Sequence, residues 1–263
     1  METADGVTLG TWLIEPPKGV KHRKEVILYH HGNSGTRGTP HRITLYEVLA
    51  GAGYDVVAFD YRGYADSNCG NGNCEPTEEG LITDAKTIYH WTLAGIKKRW
   101  NGDEKSVIIW GHSLGGGAAT NLAKTLCHDS SSDCDKAKAL ILEATFNDIS
   151  EAATSYPLAW PLYLVPSAIE TVADSLQKRN LAFNNTAGLM NLRLPVLMLH
   201  ALDDVIVPAK LSQKAHNIAS NVRPDHWPAL EYKLYPIYGY GHRGLHDAPD
   251  LVETVAAFTE KNS

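Results

Sequence analysis

Apolar runs of strand length alternate with helical patterns along most of this chain. The strand-like runs lie at 26–31, 56–59, 107–110, 139–142 and 196–199, and a segment of alternating apolar and polar residues follows at 231–235. The helical patterns lie at 40–50, 81–100, 116–126, 208–219 and 249–261. This alternation predicts an α/β fold with a mostly parallel sheet and helices on both faces.

Length and charge limit the classes of protein that fit this pattern. With 263 residues, one α/β domain with a small insertion can build a full core. The net charge is -6, and no basic run carries interleaved aromatic residues. The sequence therefore gives no reason to expect a nucleic-acid partner.

One uncharged segment interrupts the alternation, at 152–169. Its eighteen residues are marginal for a membrane span. Three prolines in it would each remove a backbone hydrogen bond, which excludes a transmembrane helix. Its place between the runs at 139–142 and 196–199 predicts a cap inserted at about 146–190. Two interpretations stay open: a lipid-accepting lid that touches a membrane surface, or a cap packed on its own domain.

The pentapeptide Gly-His-Ser-Leu-Gly at 111–115 is typical of a nucleophile elbow. In such an elbow a serine lies on a sharp turn from strand to helix, and larger residues at the two glycine positions would collide with neighbouring backbone. The pentapeptide also recurs by chance as a plain glycine-rich turn. Here a strand-like run precedes it and a helical pattern follows it, so we predict that Ser113 is a catalytic nucleophile.

A serine nucleophile needs an acid and a base later in the chain. The turn after the run at 196–199 contains Asp203 and Asp204. An acid followed by two residues and then Val-Pro is the usual form of this turn in hydrolases, which favours Asp204 as the catalytic acid. Asp203 is then interpreted as a turn or helix-capping residue.

The loop Gly-Tyr-Gly-His, which follows the last predicted strand, favours His242 as the base. His246 and His200 are rivals, with an alternative interpretation as satisfied polar residues. His30, His31 and His41 could suggest a metal, but no two of them have His-x-x-x-His spacing. We therefore predict no metal and no cofactor.

A second loop, His-Gly-Asn-Ser-Gly at 31–35, is expected to supply half of an oxyanion hole. Its small residues leave backbone N–H groups free to face a ligand. The predicted donors are the N–H groups of Asn33 and of Leu114, the residue after the nucleophile. The alternative is a plain turn between strand and helix.

Four cysteines fall into two close pairs in the sequence. Three connectivities are possible, and local pairing, Cys69 with Cys74 and Cys127 with Cys134, is favoured. Such disulfides suit a luminal or secreted enzyme. Free thiols are the alternative, and a zinc site is disfavoured because neither pair has Cys-x-x-Cys spacing.

The motifs at 28–38, 59–64, 109–115, 118–122 and 199–204 resemble those of the lysophosphatidylserine and monoacylglycerol lipases of the α/β-hydrolase-domain family. The resemblance runs in register from Asp5 to Phe258. It implies the α/β-hydrolase fold, with Ser113 as nucleophile, Asp204 as acid and His242 as base. It also implies an endoplasmic-reticulum membrane protein with its catalytic domain on the luminal side. The chain as given departs from the family in lacking the preceding transmembrane helix, shows no signal peptide at 1–10 and is expected to be soluble. Two interpretations stay open: a catalytic domain excised from such a membrane protein, or a soluble relative.

These observations predict a serine esterase that cleaves single-chain lipid esters through an acyl-serine intermediate. The resemblance narrows the substrate to a lysophospholipid, above all lysophosphatidylserine, or a monoacylglycerol. A protein acyl-thioesterase and a general carboxylesterase are alternatives, whereas a catalytically silent binding module would normally lack a triad member. A phosphoserine head group would need cationic partners, for which Arg37, Arg42 and Arg243 are candidates; each is otherwise a surface charge.

Overall fold

The structure is a computed structural model that describes residues 1–70, 74–99, 106–129, 134–155, 171, 174–176, 178, 181–236 and 239–262. The strands are β1 (Thr11–Ile14), β2 (Glu25–His30), β3 (Asp55–Phe59), β4 (Ser106–His112), β5 (Ala137–Glu143), β6 (Val196–Ala201) and β7 (Leu230–Tyr235). The helices are α1 (Pro40–Gly51), α2 (Glu78–Arg99), α3 (Leu114–Asp129), α4 (Ile149–Ser155), α5 (Asn185–Met190), α6 (Ala209–Val222) and α7 (Leu251–Lys261). A short 3-10 turn, Leu245–Asp247, precedes α7.

The strands form one sheet in the order β1-β3-β2-β4-β5-β6-β7. Strand β1 pairs antiparallel with β3, and every other pairing is parallel. The predicted fold class, a mostly parallel α/β sheet, is therefore confirmed. Strand β1 was not predicted because it is a four-residue edge strand with no fully buried residue, and so lacks an apolar run. Helices α4 and α5 were missed because seven and six residues are too few to show a helical period.

Helices cover both faces of the sheet, each over its own apolar cluster. In β2, the neighbouring residues Ile27 and Leu28 belong to different clusters, because successive side chains of a strand point to opposite faces. Leu122 of α3 packs in the cluster of Leu28, whereas Leu49 of α1 and Val255 of α7 pack in that of Ile27. Both faces of the central strands are thus buried, which explains their continuous apolar runs.

The parallel strands fix where the functional loops meet. The carboxyl ends of parallel strands lie at one edge of a sheet, and side chains that follow those ends converge there. Among the loops at this edge are those that follow β2, β4, β6 and β7. These loops carry all the residues that the sequence predicts for catalysis.

The two ends of the predicted cap contact each other. Asp148 and Asn184 form an antiparallel bridge, and the Ile149 N–H donates to the Phe183 carbonyl oxygen at 3.0 Å. The chain therefore leaves and returns at the same place. Most of the uncharged segment, from 156 onward, lies outside the described residues. Within the described ranges, no helix is both long and apolar enough to cross a membrane.

All four cysteines form disulfides, and the local pairing predicted from the sequence is confirmed. Cys69 bonds Cys74 with 5.5 Å between their Cα atoms, and Cys127 bonds Cys134 with 4.7 Å. No cysteine is free. Disulfides form and persist in oxidising compartments, so the pairing fits a luminal or extracellular environment.

Candidate active site

Ser113 lies on the tight turn between β4 and α3. Its φ is 56°, in the left-handed region that non-glycine residues seldom adopt. Such a conformation costs on the order of 1–3 kcal/mol and persists where the surroundings hold it in place. Here the Ser113 N–H donates to the Glu143 carbonyl oxygen at 2.9 Å, and its own carbonyl accepts from the Gly116 N–H at 2.9 Å.

The two glycines of the elbow are required by close backbone approach. A Cβ on Gly111 would lie 2.5 Å from the carbonyl oxygen of Gly115. A Cβ on Gly115 would overlap the carbonyl oxygen of His30, at the end of β2. The motif read from the sequence is therefore a consequence of packing three backbone segments around Ser113.

The structure brings the three predicted catalytic residues together in one hydrogen-bonded chain. Nε2 of His242 lies 3.0 Å from Oγ of Ser113, and Nδ1 of His242 lies 2.7 Å from Oδ2 of Asp204. Because a carboxylate only accepts, Nδ1 carries the proton and Nε2 is left to accept from the serine hydroxyl. This is the arrangement in which an imidazole can act as a general base.

Asp204 is buried and held as a carboxylate. Burial alone would raise its pKa, but hydrogen bonds from His200 and His242 hold the pKa well below its usual range. Its Oδ1 also accepts from the backbone N–H groups of Ile206 and Val207, each at 2.9 Å. Asp204 is therefore ionised at neutral pH, and its negative charge faces the His242 ring.

Asp203 has a contact that the sequence did not indicate. The residue that caps α6 is Pro208. The Asp203 carboxylate instead accepts from the backbone N–H groups of Gly239 at 2.6 Å and Gly241 at 2.8 Å. It thereby anchors the loop that carries His242. No local signal could have revealed this contact, because the partners lie 36 and 38 residues away.

His112 holds the same loop through a further hydrogen bond. Its Nε2 donates to the carbonyl oxygen of His242 at 2.8 Å. Burial lowers the pKa of His112 well below its usual value, so the ring is neutral. His112, which lies between the first glycine of the elbow and Ser113, thus fixes the backbone of His242.

The two predicted oxyanion donors border the reacting serine. The 31–35 loop packs against it: a Cβ on Gly32 would lie 3.2 Å from the Ser113 Cβ. The next residue, Asn33, lines the cleft, and its side chain accepts from the Tyr64 hydroxyl at 3.0 Å. Leu114 is the first residue of α3, and the first N–H groups of a helix have no partner within it.

A cleft of about 400 Å³ opens over Ser113 and His242. It is lined by Gly32, Asn33, Ser34, Arg42, His112, Ser113, Ala152, Ala153, Ile206, Val207, His242 and Arg243. The two alanines belong to α4, at the start of the uncharged segment. Aliphatic residues thus line the cleft from the segments after β5 and after β6.

The arginines proposed for a head group have different surroundings. The Arg37 guanidinium is paired with Asp60 and lies 2.5 and 2.9 Å from the two carboxylate oxygens of Asp66. Arg42 is buried and donates to backbone carbonyl oxygens, among them that of Ser34 at 2.7 Å. Both cations therefore already have acceptors within the protein.

Arg243 is the exposed member of the three. It follows His242 directly, lines the cleft and donates to the Ser34 hydroxyl at 3.2 Å. A hydroxyl neutralises no charge, so the guanidinium keeps its capacity to pair with an anion.

No hydrogen bond joins His30, His31, His41, His200 or His246 to the Ser113 hydroxyl, whose described imidazole partner is His242. His200 is buried behind Asp204, 3.1 Å from its Oδ2, and His246 lies 3.5 Å from Asp247. His30 and His31 are buried, which lowers the pKa of each to about 3 and keeps them neutral. In the described part of the chain, no group of three or more His, Cys, Asp or Glu is arranged to hold a metal ion.

The protein-family comparison matches residues 21–186 to the family described as serine aminopeptidase, S33. Curated relatives extend the match. The lysophosphatidylserine lipase ABHD12 of Danio rerio is 34% identical over 98% of this chain and 68% of its own length. The chain belongs to the α/β-hydrolase family of these serine hydrolases. The rat ABHD12 lipase is 35% identical over the whole chain and 66% of its own length, so the chain spans about two thirds of such relatives.

Solved structures with the same fold include esterases. An esterase of Pyrococcus furiosus superposes with a TM-score of 0.71 at 16% identity, covering 99% of this chain and 88% of its own. A ferulic acid-bound esterase of Butyrivibrio proteoclasticus gives 0.66 at 20% identity, covering 98% and 96%. At these identities the likeness establishes the α/β-hydrolase fold of this family member.

Proposed function

We propose that this protein is a serine esterase that cleaves the carboxylic ester of a single-chain lipid, a lysophospholipid or a monoacylglycerol. The observation that carries the proposal is the hydrogen-bonded chain from Ser113 through His242 to Asp204, at the floor of a partly apolar cleft. The family relationship supports it, because relatives over the whole chain are named as lysophosphatidylserine lipases.

The chemistry takes place in two steps on Ser113. Its Oγ attacks the ester carbonyl carbon while His242 Nε2 takes the hydroxyl proton. The ester C–O bond then breaks, and His242 returns that proton to the departing alcohol. Water repeats the sequence on the acyl-serine: His242 takes one proton, the fatty acid leaves, and Ser113 regains its hydroxyl.

The negative charge that develops on the carbonyl oxygen needs donors in place beforehand. In this proposal the backbone N–H groups of Asn33 and Leu114 supply them, from the loop after β2 and from the start of α3. Each donor of this kind is worth about a hundredfold or more in rate. Both are backbone groups, so their placement does not depend on a side-chain rotamer.

The acyl chain is proposed to lie under the cap at 146–190. The cap interpretation is supported by the bridge between Asp148 and Asn184, which joins the two ends of the segment. Ala152 and Ala153 give the cleft an apolar wall where the segment begins. The cap carries Trp160, Tyr156 and Tyr163, residue types that also suit contact with a membrane surface. The disulfides and the family resemblance support a location on the luminal side of the endoplasmic reticulum.

The lipid head group is proposed to be anionic, as in lysophosphatidylserine. Arg243 supports this because it is exposed at the cleft beside His242 and neutralised by no carboxylate among the described residues. A guanidinium there could pair with a phosphate or carboxylate of the leaving group. The alcohol side of the ester would then point toward the loop after β7.

The substrate class is tested by comparing kcat/KM across esters of increasing acyl length. We expect kcat/KM to rise with chain length until the pocket is full, because each buried methylene contributes about 0.8 kcal/mol, roughly fourfold. The measurement uses monoacylglycerols, lysophosphatidylserine, lysophosphatidylcholine and an acetyl ester of glycerol.

Two results would contradict the lipid proposal. A clear preference for the acetyl ester would leave a general carboxylesterase. A clear preference for acyl-cysteine thioesters over oxygen esters of the same chain would identify an acyl-thioesterase. Either enzyme would keep the serine chemistry and change only the substrate.

The head group is tested with Arg243→Gln. We expect this variant to lower kcat/KM for lysophosphatidylserine about tenfold relative to monoacylglycerol, because a charge-assisted hydrogen bond is lost. Arg193→Gln is the matched control. Arg193 is exposed, its guanidinium lies over the Trp227 ring, and it precedes β6 at the opposite edge of the sheet from the cleft. An unchanged ratio between the two substrates would remove Arg243 from head-group recognition.

A further inference from the structure

A second imidazole lies behind the proposed catalytic acid. His200, in β6, is fully buried, and its Nε2 lies 3.1 Å from Oδ2 of Asp204. That same oxygen accepts from His242 at 2.7 Å. We propose that His200 is a positioning residue of the triad, donating to Asp204 so as to fix the carboxylate and moderate the basicity of His242. This inference rests on the proposed function, since it assigns a role within that catalytic chain.

The contacts of His200 decide where its proton lies. Nε2 faces two acceptors, Oδ2 of Asp204 and the carbonyl oxygen of Val207 at 2.8 Å. Neither can donate, because Asp204 is held ionised, so Nε2 must carry a proton. His200 is therefore a donor toward Asp204, and the two imidazoles hold one carboxylate oxygen between them.

The other side of the ring is held as firmly. Nδ1 lies 2.7 Å from the Ser212 hydroxyl of α6, and that hydroxyl lies 3.0 Å from the Tyr232 hydroxyl of β7. Both hydroxyls also lie near the Ala209 carbonyl oxygen, at 3.0 Å from Ser212 and 3.3 Å from Tyr232, so each has two possible acceptors. When Nδ1 accepts from Ser212, the hydrogen bonds run in one direction from Tyr232 to Asp204. A ring fixed at both nitrogens cannot tilt, and it thereby holds the carboxylate in line with His242.

The hydrogen bond from His200 affects the protonation of His242 in one direction. The N–H of His200 places the positive end of a dipole against Asp204. It thereby offsets part of the negative charge that the carboxylate would otherwise present to His242. Without that donor, Asp204 would stabilise the protonated form of His242 more strongly, so His242 would hold its proton to higher pH. The free enzyme needs His242 neutral to accept from Ser113, and activity would be lost at the acidic end.

Other ionisable groups surround His242 and stay constant in the comparison. They are His112 on β4, His41 and Arg42 on α1, Asp203 after β6, and Arg243 and His246 on the loop and turn after β7. On the far side of His200, Tyr232 is the ionisable group that the described hydrogen bonds reach through Ser212. None of them is altered by a substitution at 200, so a change in titration reports the lost donor.

The test compares His200→Leu with His200→Gln in the full chain. Gln places an N–H close to the position of Nε2, whereas Leu has no donor. We expect His200→Leu to lower kcat/KM about tenfold or more near neutral pH and to raise the midpoint of its acid limb by about one pH unit. His200→Gln should restore the midpoint to near the wild-type value. If Leu fails to fold, His200→Asn replaces it, since its shorter side chain reaches Ser212 and not Asp204.

A second readout separates this inference from the proposed function. The imidazole resonances of His242 are titrated by NMR in wild type and both variants, which requires no turnover. A titration midpoint that is higher in His200→Leu, but not in His200→Gln, supports the role of His200 even if no ester is hydrolysed. An unchanged midpoint, with activity lost only in proportion to folded protein, would reduce His200 to a structural residue and overturn the inference.

Discussion

Ser113→Ala is expected to abolish labelling by a fluorophosphonate probe and to lower kcat by about a millionfold. The reason is that Ser113 supplies the only oxygen in the proposed chain that His242 can deprotonate. Its hydroxyl lies 3.0 Å from Nε2, and the strained turn around it holds that position. Labelling is read on a gel with folded protein, and turnover with a long-chain monoacylglycerol.

The control for this substitution is Ser220→Ala, on the exposed surface of α6. It removes a serine hydroxyl without touching the cleft and should leave labelling unchanged. Labelling or turnover that survives in Ser113→Ala would show that another residue is the nucleophile. Failure of the folded wild type to react with the probe would remove the serine-enzyme proposal altogether.

Asp204→Asn should lower kcat by about 10⁴-fold while leaving the fold in place. Four N–H groups donate to this carboxylate, two from backbone and two from imidazoles. An amide accepts at one atom only, so its NH₂ group must face either the backbone pair or the two rings. Facing His242, it would favour the proton on Nε2, and the ring could no longer accept from Ser113. The measurement is kcat, with circular dichroism as the check on folding.

Asp203→Asn is the matched variant, one residue away and with the same change in charge. Its carboxylate anchors Gly239 and Gly241 through separate oxygens, so an amide keeps one of the two contacts. The loss should stay within about a hundredfold, because one hydrogen bond to a charged group is at stake. A larger loss in Asp203→Asn than in Asp204→Asn would move the catalytic acid by one residue.

The order of strands and helices could be predicted from the sequence because burial on both sides leaves a continuous apolar run. Strand β5, predicted at 139–142, occupies Ala137–Glu143, and β6, predicted at 196–199, occupies Val196–Ala201. The elbow could be predicted for a related reason. Backbone crowding leaves no room for a side chain at positions 111 and 115, so both must be glycine. Glycines at this fixed spacing around the serine are visible in the sequence. The pairing of the cysteines could also be predicted, because the bonded residues lie only 5 and 7 positions apart in the chain.

Tertiary structure alone decided which side chains meet at the carboxyl edge of the sheet. The sequence left Asp203 as a turn residue and His200 as a satisfied polar group. The folded chain places one on the loop of His242 and the other against Asp204. It also separates Arg37, paired with carboxylates, from Arg243, exposed at the cleft. Periodicity reports how deeply a residue is buried along its own element. The partner of a polar group depends on loops that are distant in the chain and are brought together only when the parallel strands pair.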